Sequence, residues 1–281
     1  MTAGEQSLFQ RSRLLLGSSA MQRLYSQRVI LFGVGGVGSW CAESLLRSGV
    51  HRITLVDSDC VCASNCNRQL MATSQTIGQP KVEALRSRLL QINPDAEITA
   101  LQKAYGRETA ADFALEEYDY VIDAIDSLSE KALLIRQVTA LTHAQSHPCL
   151  FSSMGAALRI DPTKVTVGEF WKVQGDPLAR ALRNKFRKEK LFPAHKFLCV
   201  YSTETPLKNL GAEETTLRPD PVSHQEAMPE CGTGKQKPHD WHDSKIQVNG
   251  SLCPITGIFG MMLAGLVLRS ACLSGEGAAA Q

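Results

Sequence analysis

The chain has 281 residues, of which 43% are apolar and 21% charged. That balance belongs to folded globular proteins and excludes disordered and collagen-like architectures, and no internal repeat is visible. Thirty Lys and Arg against 28 Asp and Glu leave a net charge of +2, so any nucleic-acid-binding surface must come from local clustering.

Met1 to Arg13 is polar and charged with no apolar core segment, which argues against a secretory signal. The nine cysteines are odd in number and follow no secreted small-domain framework, so a reducing, cytoplasmic setting is expected. Arg28 to Phe32 is an apolar, β-branched run that closes on Gly33 and predicts a first strand; Ser39 to Ser48 predicts a helix closed by Gly49. Ile53 to Asp57 predicts a second strand ending on an acid. Val82 to Ile92 has helical spacing, Ile98 to Leu101 reads as a third strand, and Tyr118 to Ile125 as a fourth. A helix over Leu128 to Leu141 and a fifth strand over Cys149 to Ser152 follow. Strands alternating with helices predict an α/β fold, a Rossmann-like doubly wound and mostly parallel sheet.

Beyond Gly155 extended runs at Lys164 to Val167 and Phe197 to Tyr201 flank a basic helix, Leu178 to Lys190, giving a C-terminal extension of mixed strands and helices. Pro206 to Lys245 is rich in Glu, Pro, Lys, Gly and His with few aliphatics and predicts a long, partly mobile loop. Ile246 to Leu268 has no charge and is long enough to span a bilayer. Gln247, Asn249, Ser251, Pro254 and several glycines interrupt it, so a buried core segment is expected rather than membrane insertion.

Gly33-Val-Gly35-Gly36-Val-Gly38 lies between a strand and a helix, where glycines let backbone amides and the helix N-terminus approach a phosphate. Asp57, 19 residues after Gly38, ends the second strand and can accept hydrogen bonds from ribose hydroxyls. To this point a nicotinamide-dependent dehydrogenase fits equally well. Arg68 in Asn65-Cys-Asn67-Arg68-Gln69, and Lys81 at a helix start, add a guanidinium fork and a point charge that suit a triphosphate. Asp126, after the fourth strand, is positioned to hold a divalent ion against phosphates, while Asp123 is expected to be a structural acid.

These residues resemble the ThiF/MoeB superfamily of adenylating enzymes, relatives of the ubiquitin-activating enzymes. The resemblance rests on the glycine turn, Asp57 with Asp59, Asn65 with Arg68-Gln69, Gly78 to Lys81, Ile92-Asn93-Pro94, and Asp123-x-x-Asp126 followed by Ser127. It implies that Gly33, Gly35, Gly36, Gly38, Asp57, Asp59, Asn65, Arg68, Gln69, Lys81, Asp126 and Ser127 bind ATP, with Asp126 linked to Mg2+. It also implies a homodimer in which an N-terminal arginine reaches the neighbouring subunit's triphosphate; Arg11 is the candidate and Arg13 competes with it. Residues 1–160 would then form the adenylation domain and 161–281 a substrate and dimer region.

Ser127 with Lys131, Arg159-Ile-Asp-Pro-Thr163, Asp176-Pro-Leu178 and Cys199 to Glu204 resemble the branch that acts on threonylcarbamoyladenosine beside the anticodon of tRNA. That branch implies ATP-dependent cyclisation with loss of water, a monovalent cation as a further ligand, and a link to a cysteine-desulfurase system. The rival reading is adenylation of the C-terminal Gly-Gly of a sulfur-carrier or ubiquitin-like protein. The relatives serving such proteins carry paired CxxC units for zinc; none occurs here, so no zinc is expected. Between Arg180 and Lys196 seven cations (Arg180, Arg183, Lys185, Arg187, Lys188, Lys190, Lys196) face one acid, Glu189, a natural tRNA-contacting patch. Cys199, in an apolar strand, reads as a packing thiol, and Cys231 as an accessible one.

Overall fold

Val29 to Phe32 and Ile53, Leu55 and Val56 are fully enclosed, as expected of strands covered on both faces. The computed structural model describes residues 3–210 and 249–273. In it, β1 (Arg28–Phe32), β2 (Arg52–Val56), β3 (Glu97–Leu101), β4 (Tyr120–Asp123), β5 (Cys149–Ser153), β6 (Val165–Glu169) and β7 (Leu198–Ser202) form one sheet in the order β3-β2-β1-β4-β5-β7-β6. All neighbours are parallel except β6 and β7. The order reverses between β1 and β4, which opens a crevice at their carboxyl ends. The region after residue 160 continues this sheet through β6 and β7.

Alternate residues of β1 face opposite layers. Val29 and Leu31 pack with Leu45, Phe259 and Leu263 on one side. Ile30 and Phe32 pack with Ile135, Phe170 and Phe186 on the other. The first layer holds α2 (Gln10–Ser26), α3 (Gly38–Arg47), α4 (Lys81–Ile92) and α7 (Cys253–Leu273); the second holds α5 (Leu128–Gln145) and α6 (Pro177–Glu189). A short α1 (Ala3–Leu8) precedes them, and α2 breaks at Gly17, where φ is 78° and ψ 165°.

Most expected elements appear within a few residues of their expected ends. The fourth strand is shorter than Tyr118 to Ile125, because pairing with β1 stops at Asp123 and the chain turns into the crevice. The helix expected over Leu128 to Leu141 runs on to Gln145. Of the loop expected over 206–245, residues 211–245 lie outside the described residues. The uncharged segment becomes α7, which is apolar and long enough to cross a membrane by length and composition. Its Ile255, Phe259, Leu263 and Val267 are fully enclosed in the core. A Cβ on Gly260 would lie 2.4 Å from Val37 O and 2.8 Å from Cys41 N, so the absent side chain lets α7 lie directly on α3.

Candidate active site

Gly33 follows β1 with φ 86°, a left-handed conformation that glycine adopts without strain. A Cβ there would meet Ala124 O at 2.7 Å, and one on Gly38 would meet Gly33 O at 1.9 Å. Hydrogen alone fits at either place. Gly33 thus draws the turn against the connector after β4, and Gly38 seats the start of α3 on the turn.

Asp57 stands one residue past β2. Its Oδ2 accepts from Val34 N at 2.8 Å and its Oδ1 from Asp59 N at 2.9 Å, which ties the glycine turn to the β2 connector. Each carboxylate oxygen keeps a lone pair for a further donor. Burial pushes the Asp57 carboxyl above the usual range against the pull of Lys81. Lys81 begins α4, is itself buried, and places Nζ 2.6 Å from Asp59 Oδ2. Burial alone would lower its pKa; the charges of Asp57 and Asp59 overcome that and hold it above the ordinary value.

Arg68 Nη1 donates to Ser64 O and Asn67 Oδ1, both at 2.9 Å. Trp40 Nε1 donates to Arg68 O at 3.1 Å, so α3 fixes the segment that carries the guanidinium. Burial lowers the Arg68 pKa, and the nearby charge of Asp126 opposes this. Asn65 Oδ1 accepts from Cys62 N at 3.1 Å, and the buried Gln69 Oε1 has no hydrogen-bond partner. Asp123 is the structural acid expected: fully enclosed, it pairs with Lys131 Nζ at 2.9 Å and accepts from Ser152 Oγ at 2.7 Å.

A cavity of about 480 Å3 brings together Gly33, Gly35, Gly36, Asp57, Asp59, Asn65, Arg68, Gln69, Lys81 and Asp126. Gly38, Ser127 and Arg11 do not line it. Gly38 lies under the turn, the Ser127 hydroxyl bonds the Glu130 carboxylate at the start of α5, and Arg11 is exposed on α2. Lys103 and Tyr105, which no sequence motif marked, and Arg159, which entered only through the Arg159-to-Thr163 resemblance, also line the cavity. No spacing rule links them to the turn, and only the fold brings them there.

The ThiF family profile matches residues 9–280 of the chain. The chain belongs to the ThiF family. It is 40% identical over 217 residues to the tRNA threonylcarbamoyladenosine dehydratase of Bacillus subtilis, covering 75% of this chain and 83% of that protein. The enzyme of the same name from Escherichia coli is 39% identical over 197 residues, covering 68% and 71%. The crystal structure of the Escherichia coli enzyme, TcdA, in complex with ATP superposes with a TM-score of 0.75 at 29% identity, over 96% of both chains.

In this ThiF-family chain the divalent-ion expectation rests on Asp126. It is an exposed carboxylate at the cavity wall, a hard oxygen donor of the kind Mg2+ takes alongside nucleotide phosphates, so the site fits that ion. Among the described residues no group of three or more His, Cys, Asp or Glu converges as a metal cage. Cys199 is buried, its thiol donates to Gly168 O at 3.4 Å, and burial pushes its pKa up to about 12. Cys231 lies outside the described residues.

The basic patch of the ThiF-family chain is smaller than the charge count suggests. Arg183 Nη1 donates to Phe170 O at 3.0 Å and Val173 O at 2.9 Å, so its guanidinium clamps the loop under α6 instead of facing outward. Lys185 pairs with Glu189 at 2.8 Å, and Arg136 pairs with the same acid at 2.9 Å. Arg180, Arg187, Lys188, Lys190 and Lys196 remain exposed.

Proposed function

We propose that this protein uses ATP to adenylate the threonyl carboxylate of threonylcarbamoyladenosine in tRNA and then closes it to the cyclic form with loss of water. One arrangement carries the reading: the glycine turn, Asp57, Arg68, Lys81 and Asp126 share a single cavity, in a chain whose relatives bear the name of that activity. Turn amides and the α3 N-terminus would receive phosphate oxygens, and Asp57 the ribose hydroxyls. Arg68 and Lys81 would neutralise the departing pyrophosphate. Asp126 would hold Mg2+, which when bound offsets the negative charge of the phosphates.

A free carboxylate is a poor electrophile. Attack of its oxygen on the α-phosphorus forms the acyl adenylate and expels pyrophosphate; attack by a nucleophilic atom of the same modification on the acyl carbon then closes the ring and expels AMP. Because the second attack is intramolecular, a near-attack geometry suffices and no covalent enzyme intermediate is required.

The exposed cations Arg180, Arg187, Lys188, Lys190 and Lys196 support tRNA as the carrier of the substrate, and a tRNA substrate supports a cytoplasmic location. Leu14 and Leu15, 80% and 83% exposed beside Arg11 and Arg13, support a homodimer in which this helix sits on a second copy and Arg11 reaches that copy's cavity. Mixing Arg11 and Asp126 variants tests this: recovered activity supports it, and inactive mixed dimers remove it. The main test is incubation with threonylcarbamoyladenosine-modified tRNA and ATP, followed by nucleoside mass analysis. Loss of one water is expected. Pyrophosphate exchange stimulated by a protein ending in Gly-Gly, and not by the modified tRNA, would overturn the reading.

A further inference from the structure

Arg159 is 2% exposed, among the largest fully enclosed side chains in the protein, and it lines the same cavity. It lies beyond β5, on the side of the crevice away from Asp57 and Lys81. Its Nε donates to Gly155 O at 3.3 Å and its Nη2 lies 3.5 Å from Asp176 Oδ2, while the buried Nη1 has no partner. A buried guanidinium edge without an acceptor is costly, and native proteins keep few such groups. Leu158, its neighbour on the cavity wall, has φ 61°, a left-handed backbone that a leucine rarely holds. An orphaned donor and a strained residue thus adjoin in one wall segment, Gly155 to Arg159, in the half of the crevice that the ATP-type residues leave free.

We infer that Gly155 to Arg159 forms the subsite for the carboxylate to be activated, with Arg159 Nη1 as the donor that receives one of its oxygens. This rests on the proposed adenylation and names the group that would recognise the acyl partner. Two features favour a carboxylate over a phosphate. Arg159 already has a carboxylate partner, with Nη2 3.5 Å from Asp176 Oδ2, and offers Nη1 as its unused donor rather than standing as a free cation. The phosphate-type groups, Arg68, Lys81 and the glycine turn, stand on the other side of β4. Nη1 is shut from water, and Leu158 beside it donates to Gly250 O and accepts from Leu207 N, both at 2.8 Å, so a substrate reaching Nη1 has to open these two contacts.

The test compares two small nucleosides as competitive inhibitors of conversion of the modified tRNA: threonylcarbamoyladenosine, and its analogue with the carboxyl group reduced to an alcohol. In the unaltered enzyme the acid is expected to bind about tenfold or more better than the alcohol, the range of a charge-assisted hydrogen bond. Arg159→Gln is expected to bring that ratio close to one while ATP affinity by calorimetry stays unchanged, and Arg159→Lys to restore part of it. A role confined to holding Gly155 and Asp176 would lower turnover without moving the ratio. A retained ratio in folded Arg159→Gln, judged by thermal melting, overturns the inference. Should Arg159→Gln fail to fold, Arg159→Lys decides alone: a ratio equal to that of the unaltered enzyme overturns the inference and a reduced one supports it. Failure of the unaltered enzyme to convert the modified tRNA at all would instead remove the functional reading beneath it.

Discussion

Lys131 Nζ lies 2.9 Å from Asp123 Oδ2 and donates to Ile125 O at the same distance, with both side chains fully enclosed. The pair straddles the connector that presents Asp126 to the cavity, so one buried ammonium sets the path of the loop. Removing it strands a buried carboxylate. Lys131→Met is expected to lower unfolding free energy by about 3–5 kcal/mol. Denaturant titration measures this, and a loss below about 1 kcal/mol would show that water relieves Asp123 in the variant.

Asp126 is exposed at the cavity wall, so its loss should separate chemistry from folding, whereas Lys81 is buried and ion-paired with Asp59. Asp126→Asn and Lys81→Ala are each expected to slow ATP–pyrophosphate exchange at least about hundredfold, with melting temperature nearly unchanged for Asp126→Asn. Full exchange by the Asp126 variant would remove the assignment.

The orientation of the basic side chains on α6 sorts them by expected effect. Arg187→Gln and Lys188→Gln should each reduce the salt dependence of tRNA binding by about one unit of log–log slope and leave ATP affinity alone. Arg183→Gln should instead destabilise the α6 region, because its guanidinium serves two backbone carbonyls. Binding assays across salt concentrations, paired with melts, distinguish the two classes.

Glu43 joins α3 to α4, receiving Arg88 at 2.6 Å and Arg47 at 2.8 Å. Burial tends to raise its carboxyl pKa, but the two arginines prevail and hold it below the usual value. A carboxyl depressed in the folded state contributes stability above its unfolded pKa, roughly 4.3, and loses that contribution as pH falls through the lower folded value. Glu43→Gln should therefore cost about 1–3 kcal/mol at neutral pH, with the difference from the unaltered protein shrinking under acid. Melts at neutral pH and at about pH 3 check the sign.

Cys199, with its thiol pushed up to about 12, holds almost no thiolate at neutral pH. Cys199→Ala should retain turnover within about threefold. A drop of several orders of magnitude would mean that the thiol acts as a nucleophile despite its burial.

The first half of the fold was legible because buried parallel strands write themselves as unbroken apolar runs, as Val29 to Phe32 does. Asp57 and Lys81 were legible because they sit at a strand end and a helix start, where position along the chain fixes position in the crevice. Arg159 appeared only within the Arg159-to-Thr163 resemblance, with no place in the crevice: its partner Asp176 is 17 residues away, and only the seating of Asp176 against the Gly155 segment joins them. Arg183 misled the charge count for a related reason. A sum of cations carries no direction, and the carbonyls that turn this side chain inward belong to a loop ahead of the helix. The N-terminal helices lacked a clear apolar stripe, since Leu14 and Leu15 face outward.

Synthesis delivers all seven strands before α7. Until Cys253–Leu273 emerges, Trp40 and the outer face of α3 stay open to water, and Thr256 is not yet seated against Gly36, where a glycine Cβ would come within 3.1 Å of its Cγ2. The sheet and the turn can form earlier, but the wall behind the turn arrives only with α7. The crevice therefore takes its full shape only when two segments far apart in the chain, the glycine turn and α7, have met.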